Sequence, residues 1–263
     1  MCRLLGYLGS PISLKQILSD PPHSLIVQSY QPREMEEALL NADGLGLGWY
    51  HPTQQSDPFT YKNILPAWND PNLDSLGRYI ESDRILAYVR SATSGQAISL
   101  TNCQPFQLER LLFIHNGYIK NFRTTLYRLI RNRLRDSVYQ TIEGTTDSEH
   151  IFGLLINELT SPTPPTVREA LHTTLMILKE LAELADVKTL VNVVLCDGQQ
   201  MVASRFAING VPPSLYWLQN DPKFPQSVII ASEPLFPGNW HSVPEQSIIH
   251  VGEDLEIHIQ KLA

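Results

Sequence analysis

The order of strand-like and helix-like segments constrains the fold of this chain more than any other feature. Short runs rich in β-branched or aromatic residues dominate the first third, at residues 3–8, 47–51, 59–62 and 85–90. Helical spacing replaces them in the middle third, and strand-like runs return from residue 190 onward. Grouped strands that do not alternate with helices indicate antiparallel sheets with helices packed outside them. The sequence therefore predicts an α+β fold, arranged as a layered sandwich.

Helical spacing occurs in three segments of the middle third, at residues 121–134, 147–159 and 167–185. The last of these is preceded by Thr166 and contains Glu169, which are spaced as a capping box. The proline-rich stretch 161–165 is interpreted as a loop between two helices, since it is too short to separate independent domains. We expect residues 2–263 to form a single domain.

Composition excludes several classes of partner. The formal net charge of -7 and the lack of a basic run argue against nucleic acid. No apolar run approaches the ~20 residues that cross a bilayer, and Gly6 and Gly9 interrupt the first apolar stretch, so neither a membrane span nor a signal peptide is expected. The three cysteines lack CxxC spacing, which indicates no disulfide framework and no metal site. We expect a cytoplasmic protein with reduced thiols.

Cys2 directly follows the initiator methionine, so removal of Met1, which we expect, would make it the N-terminal residue. Such a residue combines a thiol with a free α-amino group, whose ordinary pKa is about 7.7–8.0. A nucleophile and a proton acceptor then lie in one residue. Cys2 indicates a catalytic nucleophile only if other segments supply an oxyanion hole and groups that bind the substrate (a substrate clamp).

Two charged residues are candidates for the clamp. Arg90 ends an apolar strand, where its planar guanidinium could bind a carboxylate with two hydrogen bonds; the alternative is a surface ion pair. Asp147 follows Thr146 at the start of a predicted helix, and Thr146 with Glu149 has capping-box spacing. Its carboxylate either stabilises the helix N-terminus or binds a substrate ammonium. Each alternative stays open for these segments taken singly.

Asn116 and Gly117 lie between two apolar runs, which predicts a tight hairpin. In a functional interpretation, the Asn116 amide and the Gly117 N–H form an oxyanion hole, in which one donor contributes about 2.7–4 kcal/mol. We interpret the preceding His115 as structural. Cys103 and Cys196 are likewise expected to be buried structural thiols.

A glycine-rich segment at residues 41–48 is either a turn entering a strand or a loop facing a substrate. Its glycines, at positions 44, 46 and 48, do not follow the GxGxxG pattern and no strand precedes them. A dinucleotide site is therefore not expected, and no other cofactor is indicated.

Taken together, these segments resemble the class II glutamine amidotransferases, a family whose nucleophile is an N-terminal cysteine. The match runs in order through Cys2 and residues 41–44, 90–93, 115–117, 146–149 and 231–234. The resemblance implies a four-layer αββα sandwich of the N-terminal-nucleophile hydrolase type. It also implies that Cys2 attacks a γ-glutamyl amide and forms a thioester, with its own α-amine as base. Asn116 and Gly117 would bind the oxyanion.

The resemblance also assigns the substrate clamp. Arg90, supported by Thr93, would bind the α-carboxylate of the glutamyl group, and Asp147 its α-ammonium. Water would then release glutamate. Binding both ends of the zwitterion explains why a small γ-glutamyl compound, and not a general amide, is the expected substrate.

Residues 1–9 and 20–30 are similar to the ergothioneine-biosynthesis branch of this family, which implies hydrolysis of γ-glutamyl-hercynylcysteine sulfoxide. Leu45 departs from that branch, which often carries tryptophan after Asp-Gly. One alternative is a glutaminase subunit that supplies ammonia to a partner synthase. Another is an inactive γ-glutamyl-binding protein, which the presence of every key residue disfavours.

Overall fold

The computed structural model describes residues 2–35, 39–51, 57–92 and 96–262. One antiparallel sheet has seven strands. In spatial order they are β11 (His241–Ser242), β9 (Tyr216–Asp221), β10 (Phe224–Ala231), β1 (Arg3–Ser13), β4 (Glu81–Val89), β2 (Leu45–Trp49) and β3 (Phe59–Asn63). The second antiparallel sheet has six strands. They are β13 (Ile257–Lys261), β12 (Ser247–Val251), β8 (Met201–Ile208), β7 (Thr189–Cys196), β6 (Leu111–Ile119) and β5 (Phe106–Leu108).

The helices form two groups. The first comprises α1 (Leu14–Leu18), α2 (Leu25–Tyr30) and α3 (Leu73–Tyr79). The second comprises α4 (Tyr127–Arg131), α5 (Asp136–Tyr139), α6 (Asp147–Leu159) and α7 (Val167–Leu184). Short 3-10 turns occur at Ala67–Asn69, Leu100–Asn102 and Phe122–Thr124.

Alternation along the strands produces four layers. On β1, Leu4 and Leu8 pack between the two sheets, whereas Leu5 and Tyr7 pack against α1–α3. The second group of helices covers the outer face of the six-stranded sheet, where Phe113 of β6 lies in the same core as α6 and α7. Both faces of the central strands are covered, which explains their nearly continuous apolar sequence. The predicted α+β αββα sandwich is confirmed.

The hairpin predicted at Asn116-Gly117 is wrong. Strand β6 runs without a turn from Leu111 to Ile119, and Asn116 pairs with Asn192 and Gly117 with Val191 on β7. A Cβ on Gly117 would lie 1.9 Å from the carbonyl oxygen of Leu190, so glycine permits close approach of the strands here. Pairing with a strand about 75 positions away in sequence therefore overrides the local turn preference.

The single helix predicted at 121–134 is also wrong. Asn121 takes a left-handed conformation (φ 55°), and a 3-10 turn follows before α4 begins at Tyr127. The hydroxyl of Thr125 donates to the carbonyl oxygens of Lys120 and Asn121, which competes with regular helix. The apolar spacing still reports burial, because Phe122 and Ile130 lie in the outer core.

The other two predicted helices are present, as α6 and α7. At the start of α7, Thr166 Oγ1 accepts the N–H of Glu169 and the Glu169 carboxylate accepts the N–H of Thr166, which completes the predicted capping box. At α6, Thr146 Oγ1 accepts the N–H of Glu149. The Glu149 carboxylate instead accepts the N–H groups of Glu143 and Gly144, so this second box is incomplete.

The glycine-rich segment combines a positive-φ glycine with a close packing contact. Gly44 has a φ of 137°, which favours glycine, and it directly precedes β2. Gly46 lies within β2, where a Cβ would approach the Gln104 carbonyl oxygen to 1.5 Å. Leu45 is buried in the core beneath α1–α3. Gly44 therefore supplies a backbone conformation at the entry to β2 that favours glycine, whereas Gly46 allows the chain at Gln104 to pack directly on the strand.

Candidate active site

Cys2 lies at the entrance to the central strand of the seven-stranded sheet. Arg3 pairs with Val89 at the end of β4, which places Cys2 beside the loop that follows that strand. The sulfur of Cys2 is 2.7 Å from the hydroxyl of Tyr88, 3.3 Å from the N–H nitrogen of Ser91 and 3.5 Å from the Ser91 carbonyl oxygen. The side chain is buried, at the edge of the layer between the sheets.

Arg90 is buried and directly precedes Ser91, whose backbone contacts the Cys2 sulfur, so the surface ion pair considered for Arg90 is wrong. Only 2% of the residue is exposed. Its Nη2 donates to the carbonyl oxygen of Ala97 at 3.3 Å, and within the described part of the chain Nη1 has no hydrogen-bond partner. A buried guanidinium N–H group without a partner among the described residues is expected to bind a further acceptor.

The segment before β2 braces the loop that carries Arg90. The N–H of Arg90 donates to the Gly44 carbonyl oxygen at 2.8 Å, and the N–H of Asp43 donates to the Arg90 carbonyl oxygen at 3.0 Å. The Asp43 carboxylate accepts the N–H of Ala92 at 2.8 Å. The 41–44 motif therefore holds the 90–92 backbone in place.

Asn116 points from β6 towards the layer that holds Cys2. Its Nδ2 lies 3.4 Å from the hydroxyl oxygen of Ser232, which also accepts the N–H of Leu4 at 3.0 Å. The carboxamide is fully buried, and its Oδ1 has no partner among the described residues. Ser232 thus connects Asn116 on one sheet with the strand that begins beside the nucleophile on the other.

The N–H of Gly117 points towards an open edge of β6. Strand β5 pairs with β6 no further than Phe113. Beyond that point, the N–H of His115 donates to the side chain of Gln104 and the N–H of Ile119 donates to Asp147. Alternate N–H groups of a strand point to the same side, so the N–H of Gly117 faces this edge between them.

Asp147 lies on the same edge, in the first turn of α6. Its Oδ2 accepts the N–H of Ile119 at 2.7 Å, and its Oδ1 accepts the N–H of Ser148 at 2.8 Å. The amides of Gly117 and Ile119 are two residues apart, about 7 Å along the strand. The helix start therefore places a buried carboxylate next to the Asn116-Gly117 segment.

A bridge of hydrogen bonds connects the surroundings of Arg90 and Asp147. The Ala97 carbonyl oxygen accepts from Arg90 and from the carboxamide of Asn102. The Oδ1 of Asn102 in turn accepts the N–H of Thr145, two residues before Asp147, at 3.0 Å. Five of the six predicted site residues thus lie in connected segments: Cys2, Arg90, Asn116, Gly117 and Asp147. Thr93, like Met1, lies outside the described residues.

A buried ionic network behind Cys2 was missed by sequence reasoning. Arg3 is fully buried; its Nη1 donates to the Cys2 carbonyl oxygen at 2.9 Å and its Nε to Glu233 at 2.7 Å. The other carboxylate oxygen of Glu233 lies 2.7 Å from Nε2 of His23. Glu233 falls in the 231–234 motif that carried part of the resemblance. The position of Glu233 in that motif and the arginine directly after the nucleophile are the two sequence features from which the network could have been predicted.

The remaining candidates behave as structural residues. His115 is buried and points towards the helical layer, where Nδ1 lies 2.8 Å from the hydroxyl of Ser148 and Nε2 lies 3.0 Å from the Leu190 carbonyl oxygen. Burial lowers its pKa. Cys103 and Cys196 are buried free thiols, and burial raises the pKa of each.

Two further observations concern metals and membranes. Among the described residues, no group of three or more histidine, cysteine, aspartate or glutamate side chains is arranged to hold a metal ion. Within the same ranges, no helix combines the length and apolar character needed to cross a bilayer.

The family model described as class II glutamine amidotransferases matches residues 1–210. This chain belongs to the class II glutamine amidotransferases, and it is an enzyme that acts on amide C–N bonds. A probable glutamine amidotransferase of Saccharomyces cerevisiae, DUG3, is 31% identical, and the similarity covers 95% of this chain and 82% of that protein. The γ-glutamyl-hercynylcysteine sulfoxide hydrolase of Mycolicibacterium smegmatis is 29% identical over 95% of this chain and 96% of that protein.

A solved structure shares the fold. It is a glutamine aminotransferase class-II domain protein from Silicibacter pomeroyi, with a TM-score of 0.73 and 23% sequence identity, and the superposition covers 99% of each chain. The match to the family model confirms the predicted family, and this structure agrees with the fold over nearly the whole length.

Proposed function

We propose that this enzyme hydrolyses a γ-glutamyl amide through a thioester on Cys2, and that its substrate is γ-glutamyl-hercynylcysteine sulfoxide. The reaction would take place in the cytoplasm, within a single domain formed by residues 2–263 after removal of Met1. The observation that carries the proposal is the open edge of β6. There the N–H of Gly117, which has no hydrogen-bond partner among the described residues, lies next to Asp147. Asn116 contacts the Ser232 hydroxyl that also accepts the N–H of Leu4, two residues after Cys2.

The same geometry supports a role for each group. The sulfur of Cys2 would attack the γ-carbonyl carbon, and its proton would pass to the α-amine. The oxyanion would accept hydrogen bonds from Nδ2 of Asn116 and the N–H of Gly117, in a buried setting where such bonds are strong. Collapse would break the C–N bond as the leaving amine takes the proton. Water would then cleave the thioester and release glutamate.

Two charged groups would select the glutamyl end. The Nη1 of Arg90, which has no hydrogen-bond partner in the described ranges, is available for the α-carboxylate, and Thr93 stays a predicted supporting residue. Asp147 is available for the α-ammonium. A carboxylate-binding role for Arg90 is supported because a buried guanidinium N–H that stays without an acceptor costs free energy.

The identity of the leaving group is supported by the Mycolicibacterium smegmatis relative, which is a γ-glutamyl-hercynylcysteine sulfoxide hydrolase matched along almost its full length. DUG3, at similar identity, is a probable glutamine amidotransferase, which favours glutamine hydrolysis for a partner synthase as the second candidate. Leu45 stands where the ergothioneine-biosynthesis branch often carries tryptophan. Because Leu45 is buried under α1–α3, this difference in side chain alters the packing of the core.

Glutamate release by the purified protein alone separates these functions. We expect rapid release from γ-glutamyl-hercynylcysteine sulfoxide and slow release from glutamine. Faster release from glutamine, increased by a partner, would establish the ammonia-supplying alternative. Release from neither substrate, together with retained binding of glutamate, would indicate a binding protein.

A further inference from the structure

We propose that Tyr88 is a catalytic residue whose hydroxyl binds the Cys2 sulfur in its thiolate form, both when the sulfur attacks and when it leaves the thioester. The proposal rests on the proposed function, because it assigns a step within that reaction. It concerns a side chain that sequence reasoning treated as part of an apolar strand.

The contact is short and enclosed. The Tyr88 hydroxyl is 2.7 Å from Sγ of Cys2, and the tyrosine is 3% exposed in the layer between the sheets. Within the described ranges, this sulfur is the hydroxyl's hydrogen-bond partner. A buried phenol directed at one sulfur atom suits that atom best when it carries charge, because hydrogen bonds to ionised acceptors are about twice as strong.

The other contacts of the sulfur distinguish its two protonation states. As a thiol, Cys2 can donate its S–H to the Ser91 carbonyl oxygen at 3.5 Å. As a thiolate, it can accept from both the Tyr88 hydroxyl and the Ser91 N–H, which lies 3.3 Å away. Ionisation therefore removes the S–H that is donated to the Ser91 carbonyl oxygen and strengthens the two hydrogen bonds that the sulfur accepts, from the Tyr88 hydroxyl and the Ser91 N–H.

Burial raises the pKa of Tyr88 well above its usual value, so the phenol keeps its proton and remains a donor. The charged and titratable groups around this pair come from several elements. Arg3 on β1 and Cys103 lie within electrostatic range of Cys2, and Arg90 lies within range of Tyr88 and Cys103. The α-amine of a processed Cys2 completes the set. Of these groups, Tyr88 makes the direct contact with the sulfur.

The hydroxyl acts without transferring its proton. In the first half-reaction, the C–S bond forms as the thiol proton moves to the α-amine, and the C–N bond breaks as that proton moves to the leaving amine. In the second half-reaction, water adds to the thioester as one of its protons moves to the α-amine, the C–S bond breaks, and the sulfur leaves with the electron pair. The Tyr88 hydrogen bond stabilises that departing thiolate until the α-ammonium returns a proton.

The test is Tyr88→Phe, which keeps the ring, with Tyr50→Phe as a matched control. Tyr50 is another buried phenol of the same layer, and its hydroxyl donates to the carbonyl oxygens of Arg110 and Cys196, away from Cys2. The pH dependence of alkylation of Cys2 by iodoacetamide is measured by mass spectrometry. We expect Tyr88→Phe to move the midpoint upward by about 1–2 pH units, and Tyr50→Phe to leave it unchanged.

Kinetics provide the second measurement. In Tyr88→Phe we expect kcat to fall at least about tenfold with little change in KM. An unchanged midpoint and an unchanged kcat would overturn the proposal. The alkylation experiment uses no substrate, so a shifted midpoint with no γ-glutamyl hydrolysis by the wild type would refute the proposed function and the catalytic role, while the sulfur contact itself would stand.

Discussion

The Nε of Arg3 and the Oε1 of Glu233 form an ion pair 2.7 Å apart in the protein interior, with the arginine side chain fully buried and the glutamate almost so. The same carboxylate accepts the N–H groups of Arg33 and Glu34 and contacts His23. Arg3 also binds the carbonyl oxygen of Cys2. The pair therefore connects the nucleophile to two loops that are distant from it in sequence.

Glu233→Gln is predicted to destabilise the protein strongly, because it leaves the Arg3 charge buried without its counterion. Removing one partner of a buried ion pair typically costs about 3–5 kcal/mol. Urea unfolding measures this loss. Asp74→Asn is the control, since Asp74 pairs with Arg78 at 3.3 Å on the exposed side of α3, and its loss should cost less than about 1 kcal/mol. Equal losses for the two variants would contradict the assignment.

Stability is predicted to fall in acid through Glu233. Burial alone would raise the pKa of this group, but its hydrogen bond with His23, the charge of Arg3 and two backbone N–H groups lower the pKa to about 2. A folded-state pKa below the unfolded value of 4.5 stabilises the protein above pH 4.5, and this stabilisation is lost as the pH falls towards 2. It amounts to roughly 3 kcal/mol.

The measurement is the difference in unfolding free energy between the wild type and Glu233→Gln across this pH range. Protonation of the wild-type carboxyl makes the two proteins alike in charge at this position. The difference should therefore shrink from pH 4.5 to pH 2, and a difference that stays constant would refute the low pKa.

Asn116→Ala is predicted to lower kcat by about 10²–10³ with little change in KM, because it removes one donor to the oxyanion. Steady-state release of glutamate provides both constants. Asn192→Ala is the control: Asn192 lies directly opposite on β7, and its Nδ2 donates to the carbonyl oxygens of Pro213 and Ser214. It should lose stability and keep most of kcat; a comparable fall in kcat for both variants would argue against the oxyanion role.

Gly46→Ala is predicted to destabilise the fold by at least about 1–3 kcal/mol, because its Cβ would meet the Gln104 carbonyl oxygen at 1.5 Å. Gly77→Ala, in contrast, is predicted to stabilise the fold. Gly77 lies inside α3, where a Cβ would make an ordinary 3.4 Å contact with Lys15, and alanine favours helix by up to about 1 kcal/mol. Thermal unfolding of both variants checks the pair, and destabilisation by Gly77→Ala would be the contrary outcome.

Segments with strong periodicity were predictable from the sequence. Helices α6 and α7 are long enough to show their apolar spacing, and the central strands are nearly continuous apolar runs. Helices α1–α3 were missed because five to seven residues are too few for a periodic pattern to be distinguished from a strand-like run. The prediction of a hairpin at Asn116-Gly117 was wrong because pairing with β7, which is distant in sequence, keeps the backbone extended there.

The site was predictable only where a motif carried it. Arg90, Asn116 and Asp147 stood out because polar residues interrupt or end apolar segments. Contacts made over long sequence separations left no local signal: Tyr88 reaches Cys2 across 86 positions, and Glu233 reaches Arg3 across 230. A tyrosine within an apolar strand is interpreted as a core residue until the contact of its hydroxyl is known.

A covalent γ-glutamyl adduct on Cys2 is the most direct test of the account. The protein would be mixed with γ-glutamyl-hercynylcysteine sulfoxide, quenched in acid during turnover and analysed by peptide mass spectrometry, with Cys103→Ala and Cys2→Ala alongside. We predict one γ-glutamyl group on the N-terminal peptide of the wild type and of Cys103→Ala, and neither adduct nor glutamate release in Cys2→Ala. Undiminished glutamate release by Cys2→Ala would contradict the central claim.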